Sequence, residues 1–289
     1  MERVWTVFRE MLSHDIEPSV VTFNAVIDAC ARNGCMDRLP EVRQQMKARN
    51  LQPNLITYST IIKGYCQRGD MSAALAALED LRKTSGLRPD EIVFNTILEG
   101  CASAGLVAEG ERLFEEMCSM GVQPSNYTLT VLVRLLGQAR QATKAFEIVQ
   151  EITQRYRFRM NSHVSSALLQ ACLNSRDSKR AAAVFEQAVR DRALPDARTS
   201  QQLIRSLISS GSATQAVSVL RGSLGVHGGG GSNAMQQSID DAFVVEALCM
   251  LQERGGEGAM LAPKLIEEIR AVRPRLQLPH AASSRRPAY

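Results

Sequence analysis

Aromatic residues are scarce in this 289-residue chain, at 5% of positions with a single tryptophan, Trp5, and there are only 10 prolines. Strands and the turns between them draw on both residue types, so a sheet sandwich is disfavoured and stacked helices are favoured. No apolar run approaches the roughly 18 residues of a membrane-spanning helix. The 7 cysteines (Cys30, Cys35, Cys66, Cys101, Cys118, Cys172 and Cys249) are odd in number and include no C-x-x-C pair, which fits a reducing compartment better than a disulfide framework. None of the four histidines, His14, His163, His227 and His280, begins the H-x-E of a zinc deaminase. The acidic pairs Asp240-Asp241 and Glu267-Glu268 read as surface charge on helices. No catalytic centre, metal or cofactor is therefore expected.

The charge balance is only mildly basic, at +4 with an isoelectric point near 8.7, which permits an anionic partner without demanding one. What the chain does have is a repeat. Pro18, Pro53, Pro89, Pro124 and Pro195 are separated by 35, 36, 35 and 71 residues, and 71 is one further pair of 36 and 35 with Met160 in the missing place. A small polar residue follows each member: Ser19, Asn54, Asp90, Ser125, Asn161 and Asp196. Apolar pairs keep the same beat at Val26-Ile27, Ile61-Ile62, Ile97-Leu98, Leu132-Val133, Leu168-Leu169 and Leu203-Ile204, as do the glycines Gly34, Gly69, Gly105 and Gly211.

Each period splits into two helices. In VVTFNAVIDACAR, residues 20–32, apolar side chains fall at helical spacing, and Asn33-Gly34 supplies a stop because glycine tolerates the left-handed geometry of a helix end. The second helix of that unit is expected over Met36 to Arg49. A hairpin of this size cannot bury its apolar faces alone, so neighbours must stack, and the expected fold is an all-α solenoid. The array is read as residues 1–231: a partial unit 1–19, then 20–54, 55–90, 91–125, 126–161 and 162–196, and a degenerate 197–231. Met1 to Ser19 reads as a helix running into a repeat end, not as a targeting peptide. Residues 232–272 are expected to form a helical cap, with helices over Ala234 to Glu253 and Leu261 to Val272. The segment 273–289, rich in proline, alanine and arginine, is expected to be disordered.

The segments VVTFNAVIDACARNG, LITYSTIIKGYCQRGD and EIVFNTILEGCASAG, with G-x-x-P endings such as Gly86 to Pro89 and Gly121 to Pro124, resemble the pentatricopeptide repeat (PPR) family. The resemblance covers about residues 1 to 225. It is closer in 20–54, 55–90 and 91–125 than in 126–161, where Arg140 stands in the glycine column and Met160 in the proline column. The tetratricopeptide alternative needs an early Trp-x-x-Leu-Gly-x-x-Tyr that the chain lacks.

The resemblance implies single-stranded RNA as partner, read one base per unit by the fifth and last residues. Here the pairs are Asn24/Asn54, Ser59/Asp90, Asn95/Ser125, Thr130/Asn161 and Ser166/Asp196. Family preferences then give 5′-(C or U)-G-C-A-G-3′, with the N-terminal unit toward the 5′ end. The second residues, Val21, Ile56, Ile92, Tyr127 and His163, are implied to sandwich bases, and Tyr127 adds a ring to stack on. The thirteenth residue is often basic in the family, but here the series is Arg32, Gln67, Ser103, Gln138 and Asn174. Lys63 and Arg134, one turn earlier, are left to compensate, so backbone attraction is expected to be modest. The resemblance also implies an organellar protein, the plastid ahead of the mitochondrion, acting in RNA processing, stability or translation. Two alternatives stay open. The polar pairs serve simply as helix caps, or the array is a scaffold that binds proteins.

Overall fold

A computed structural model describes residues 2–84, 86–225 and 239–278. Among them every regular element is helical, with no strand. The chain divides into two compact units, Met1–Leu135 and Leu136–Tyr289, and the boundary falls within a helix.

The first unit opens with α1 (Glu2–Ser13), followed by three hairpins: α2 (Val20–Arg32) with α3 (Leu39–Ala48), α4 (Leu55–Arg68) with α5 (Met71–Lys83), and α6 (Glu91–Ala104) with α7 (Val107–Ser119). The helix α8 (Asn126–Gln138) carries the boundary. In the second unit, α9 (Ala142–Tyr156) is followed by the hairpins α10 (Ser162–Asn174) with α11 (Ser178–Arg190), α12 (Ala197–Ser209) with α13 (Ala213–Leu224), and α14 (Asp241–Glu253) with α15 (Gly256–Val272). Each helix packs on its hairpin partner, and equivalent helices pack on one another: α2 on α4 on α6 in the first unit, and α10 on α12 with α11 on α13 in the second. The fold class is all-α, of the α-solenoid type. The last hairpin continues the second unit's pattern, α14 on α12 and α15 on α13.

The repeating columns account for this packing. The apolar pairs Val26-Ile27, Ile61-Ile62 and Ile97-Leu98 are all buried, as are Phe23, Tyr58 and Phe94, on first helices that pack on one another. Close approach is needed there. A Cβ built on Gly100 would lie 2.7 Å from Met71 Sδ and 2.9 Å from Cys66 Sγ, so any larger residue there would force these side chains to shift. Cys30, Cys101 and Cys172 share one repeat position and are buried in the core; burial pushes the Cys101 and Cys172 thiols up to about 11, which keeps them un-ionised.

The turns depart from expectation in instructive ways. Gly69 and Gly105 end α4 and α6 in the left-handed region, with φ of 75° and 69°. In the same column Arg140 and Arg176 adopt φ of 58° and 56°, a conformation that costs a residue with a Cβ about 1–2 kcal/mol. The second helix of unit 20–54 starts later than Met36. Residues Met36–Arg38 form a 3-10 turn and α3 begins at Leu39, with Pro40 in its first turn where a missing N–H costs nothing. The helix expected from Ala234 begins at Asp241, where the Asp240 side chain accepts from Ala242 N at 3.3 Å; residues 226–238 lie outside the described residues. The last helix starts at Gly256, five residues before the expected Leu261. Of the tail expected to be disordered, 279–289 lie outside the described residues, while the Arg273 guanidinium donates to Ile239 O at 3.1 Å and pairs with Asp241.

Candidate nucleic-acid interface

The last residue of each unit is the N-cap of the next first helix. Asn54 Oδ1 accepts from Thr57 N at 2.9 Å, Asp90 Oδ1 from Val93 N at 2.9 Å, Asn161 Oδ1 from Val164 N at 3.0 Å, and Asp196 Oδ1 from Thr199 N at 2.8 Å. Ser125 Oγ accepts from Tyr127 N at 3.2 Å and from Thr128 N at 3.4 Å. Such a cap satisfies a helix N–H that would otherwise lack a partner, and is worth about 1 kcal/mol. The capping role is therefore present in all five, and what each can offer a ligand depends on the atoms the cap leaves over.

Two pairs are brought together by direct hydrogen bonds. Asn24 Nδ2 donates to Asn54 Oδ1 at 3.4 Å, and the buried Thr57 hydroxyl donates to Asn24 Oδ1 at 2.7 Å. Asp196 N donates to Ser166 Oγ at 2.9 Å. Asp196 is heavily committed, since its Oδ2 also accepts from Thr199 Oγ1 at 2.9 Å. Burial works to raise the Asp196 carboxyl, but hydrogen bonds from Thr199 N, Ser166 and Thr199 Oγ1 outweigh it and hold the group below its ordinary value. Asp90 differs, because valine at position 93 has no hydroxyl to donate and Oδ2 accepts no bond among the described residues. Ser59 and Thr130 each donate back to their own helix, to Leu55 O at 2.8 Å and to Asn126 O at 2.7 Å.

The second-position residues stand out by exposure. Val21, Ile56, Ile92 and Tyr127, all in the first unit, are 76%, 63%, 66% and 56% exposed, and recur once per repeat at the start of a first helix. Exposed apolar side chains scattered over a surface need no explanation, whereas these four recur in register with the repeat. His163 is exposed at the same position in the second unit.

A cavity of about 540 Å³ is lined by residues of α4, α6 and α8 that include Ile92, Tyr127, Lys63, Glu91, Asn95 and Glu99. Asn95, only 8% exposed, donates from Nδ2 to Glu91 Oε1 at 3.1 Å. Its Oδ1 is buried with no hydrogen-bond partner, which costs about 1–3 kcal/mol. The positive charge left for Arg134 and Lys63 is smaller than their number suggests. Arg134 pairs with Glu99 at 2.6 Å, and Arg32 with Asp28 at 2.7 Å. Lys63 is exposed and makes no ion pair among the described residues. Reading the sequence by columns missed both Glu91 and Glu99, although Glu91 is detectable as the one acidic first residue in the series Val20, Leu55, Glu91, Asn126, Ser162 and Ala197. Among the described residues no group of histidine, cysteine, aspartate and glutamate is placed to hold a metal, and no helix is long and apolar enough to cross a membrane.

The chain is similar to known proteins in sequence and fold. A model of the PPR repeat family matches residues 18–67, 55–103 and 89–138. The pentatricopeptide repeat-containing protein ELI1, chloroplastic, of Arabidopsis thaliana is 33% identical over 113 residues, which is 39% of this chain and 17% of that protein. The crystal structure of the pentatricopeptide repeat protein PPR10 from maize aligns over 96% of this chain and 40% of its own, with a TM-score of 0.59 and 19% identity. The structure of PPR10 in complex with an 18-nt psaJ RNA element aligns over 96% of this chain and 39% of its own, with a TM-score of 0.56 and 19% identity. The chain thus spans less than a fifth of ELI1 and about two-fifths of PPR10.

Proposed function

Since the chain is a pentatricopeptide repeat protein, we propose that it binds single-stranded RNA on its first helices, one base to a unit, and acts by that binding and not by catalysis. The observation that carries this reading is the register of exposed Val21, Ile56, Ile92 and Tyr127 with the polar residues Asn24, Ser59, Asn95 and Thr130 three positions further along each first helix. A base lying between two consecutive second-position side chains buries both its faces, and its edge then meets the fifth and last residues. Stacking of this kind contributes about 1–3 kcal/mol per base where the partner is aromatic, as at Tyr127. Direction and sequence follow the family preferences, 5′-(C or U)-G-C-A-G-3′, with Thr130/Asn161, Ser166/Asp196 and His163 continuing the series.

In the same proposal the array runs over residues 1–231, the hairpin α14–α15 closes it, and the protein works in an organelle, the plastid first, as the chloroplastic ELI1 suggests. The role there is in processing, stabilising or translating a transcript. The test is a gel mobility shift with a short RNA carrying the five-base core in an unstructured context, against the same RNA with the core scrambled. Tighter binding of the core is expected. Equal binding of both, or of neither, overturns the reading.

A further inference from the structure

We propose that Glu91 is a specificity-determining residue at the third unit: with Asn95 it forms a donor–acceptor pair that selects a base bearing an exocyclic amine, cytosine in the expected core, against a base bearing a carbonyl there. The inference rests on the RNA reading given above. Two asparagines occupy fifth positions, and they are held differently. Asn24 is bonded across to Asn54 and Thr57 at the junction with the next unit. Asn95 is bonded instead to Glu91, one helical turn back on its own helix, by Nδ2 to Oε1 at 3.1 Å. Residues four apart lie on the same face of a helix, so Glu91 is placed to reach Asn95 and to line the same cavity.

That hydrogen bond fixes which end of the amide is which, because a carboxylate oxygen only accepts and so must face Nδ2. Asn95 Oδ1 is turned into the protein, buried and without a partner. What remains for a ligand in the cavity is the second Nδ2–H as donor and the carboxylate of Glu91, bonded to it, as acceptor, in a cavity that Ile92 and Tyr127 also line. Cytosine presents the complement, an N4 amine that donates to the carboxylate beside an N3 that accepts from the amide. Uracil in the same pose puts O4 against the carboxylate and N3–H against the amide N–H, so both contacts become repulsive. Carboxylate acceptance from the cytosine amine is an established pairing in base recognition. Adenine shares cytosine's pattern at N6 and N1, so the prediction for this pair alone is C and A above U and G, with Ser125 and the size of the cavity left to separate the first two.

The experiment is competition binding with four RNAs that differ only at the third base, for the wild type, Glu91→Ala and Glu91→Gln. Thermal melting of each protein reports on folding. The wild type is expected to favour C over U by roughly tenfold or more. Glu91→Ala should bring that ratio close to one and leave preference at the second base intact. Glu91→Gln keeps the side-chain length and an oxygen for Asn95, but an amide can turn its own N–H toward the base. It should therefore also lose the preference, with the U-containing RNA gaining. Retention of the wild-type C-over-U ratio in either folded variant overturns the inference, as does a wild type that binds RNA without discriminating at that base. A wild type that binds none of the four RNAs overturns the RNA reading itself.

Discussion

Asp196→Asn separates capping from base reading within one side chain. In the wild type both carboxylate oxygens are in use, Oδ1 by Thr199 N at 2.8 Å and Oδ2 by Thr199 Oγ1 at 2.9 Å. An asparagine keeps Oδ1 and hence the cap, but puts an NH2 where Oδ2 accepted; the Thr199 hydroxyl must then turn to accept, so the charge-assisted bond to the buried Thr199 becomes a neutral one and the negative charge at a helix N-terminus is lost. A hydrogen bond to a charged group is worth about 1.5–3 kcal/mol. Asp196 is itself exposed, which pulls the expected loss of stability toward about 1 kcal/mol. Acid sensitivity should change with it. The Asp196 carboxyl is held below its ordinary value of 3.8 in the folded protein, so its stabilising contribution is complete above that value and disappears as the pH falls through the lowered one. The variant should lack that part of the acid transition. For RNA, a carboxylate accepts from the N–H donors on the pairing edge of G, whereas an amide can pair with A. The fifth base should therefore move from G toward A, by about 1–3 kcal/mol, or roughly 5-fold to 150-fold in relative affinity. Competition between RNAs with G or A at that place, run for both proteins beside a thermal melt, reads both quantities. If the melt falls as expected and neither protein distinguishes G from A, Asp196 is a cap and the base-reading role assigned to it is refuted.

Three further outcomes can be measured directly. Arg140→Gly should raise stability by about 1 kcal/mol in denaturant unfolding, because Arg140 sits at φ 58° where Gly69 and Gly105 end the equivalent helices; no gain would mean that the arginine side chain makes compensating contacts. Gly100→Ala should lower the stability of the first unit by up to about 2 kcal/mol, the overpacking cost less the roughly 1 kcal/mol that alanine gains inside a helix, since the added methyl meets Met71 of α5 and Cys66 of α4 at under 3 Å; a raised melting temperature would show that these side chains give easily. RNA affinity should depend weakly on salt, with a logarithmic slope shallower than about −5 at about −0.7 per phosphate neutralised, because Arg134 and Arg32 are already paired with carboxylates. A steeper slope would place basic contacts elsewhere.

Much of the fold is legible in the sequence because the signals that matter are local and repeated. The proline and glycine columns mark helix ends, and the apolar pairs mark the faces that pack. The departures come where one residue overrides its column. Pro40 delays α3 to Leu39, and arginines take the left-handed positions where glycine is usual. The candidate site residues are legible in the sequence as positions, but not as sets of available atoms. Columns place Asn24 and Asn95 in the same role, yet only the folded chain shows Thr57 and Asn54 holding one and Glu91 holding the other. Likewise Asp90 and Asp196 look alike in sequence, and the difference between them is set three residues later, by Val93 or Thr199. The modest charge expected from the thirteenth-position series is lower still in the folded chain, for a related reason. Arg134 counts as a cation in the sequence, while in the structure Glu99, from the neighbouring repeat, neutralises it.

Selection of bound RNA from a random pool, at fixed salt and with sequencing of the retained species, tests the proposed reading most directly. The expected result is enrichment of a single-stranded core matching 5′-(C or U)-G-C-A-G-3′, with the third position restricted to C or, less strongly, A. A retained pool with no positional preference, or a core whose period does not advance one base per repeat, would contradict it.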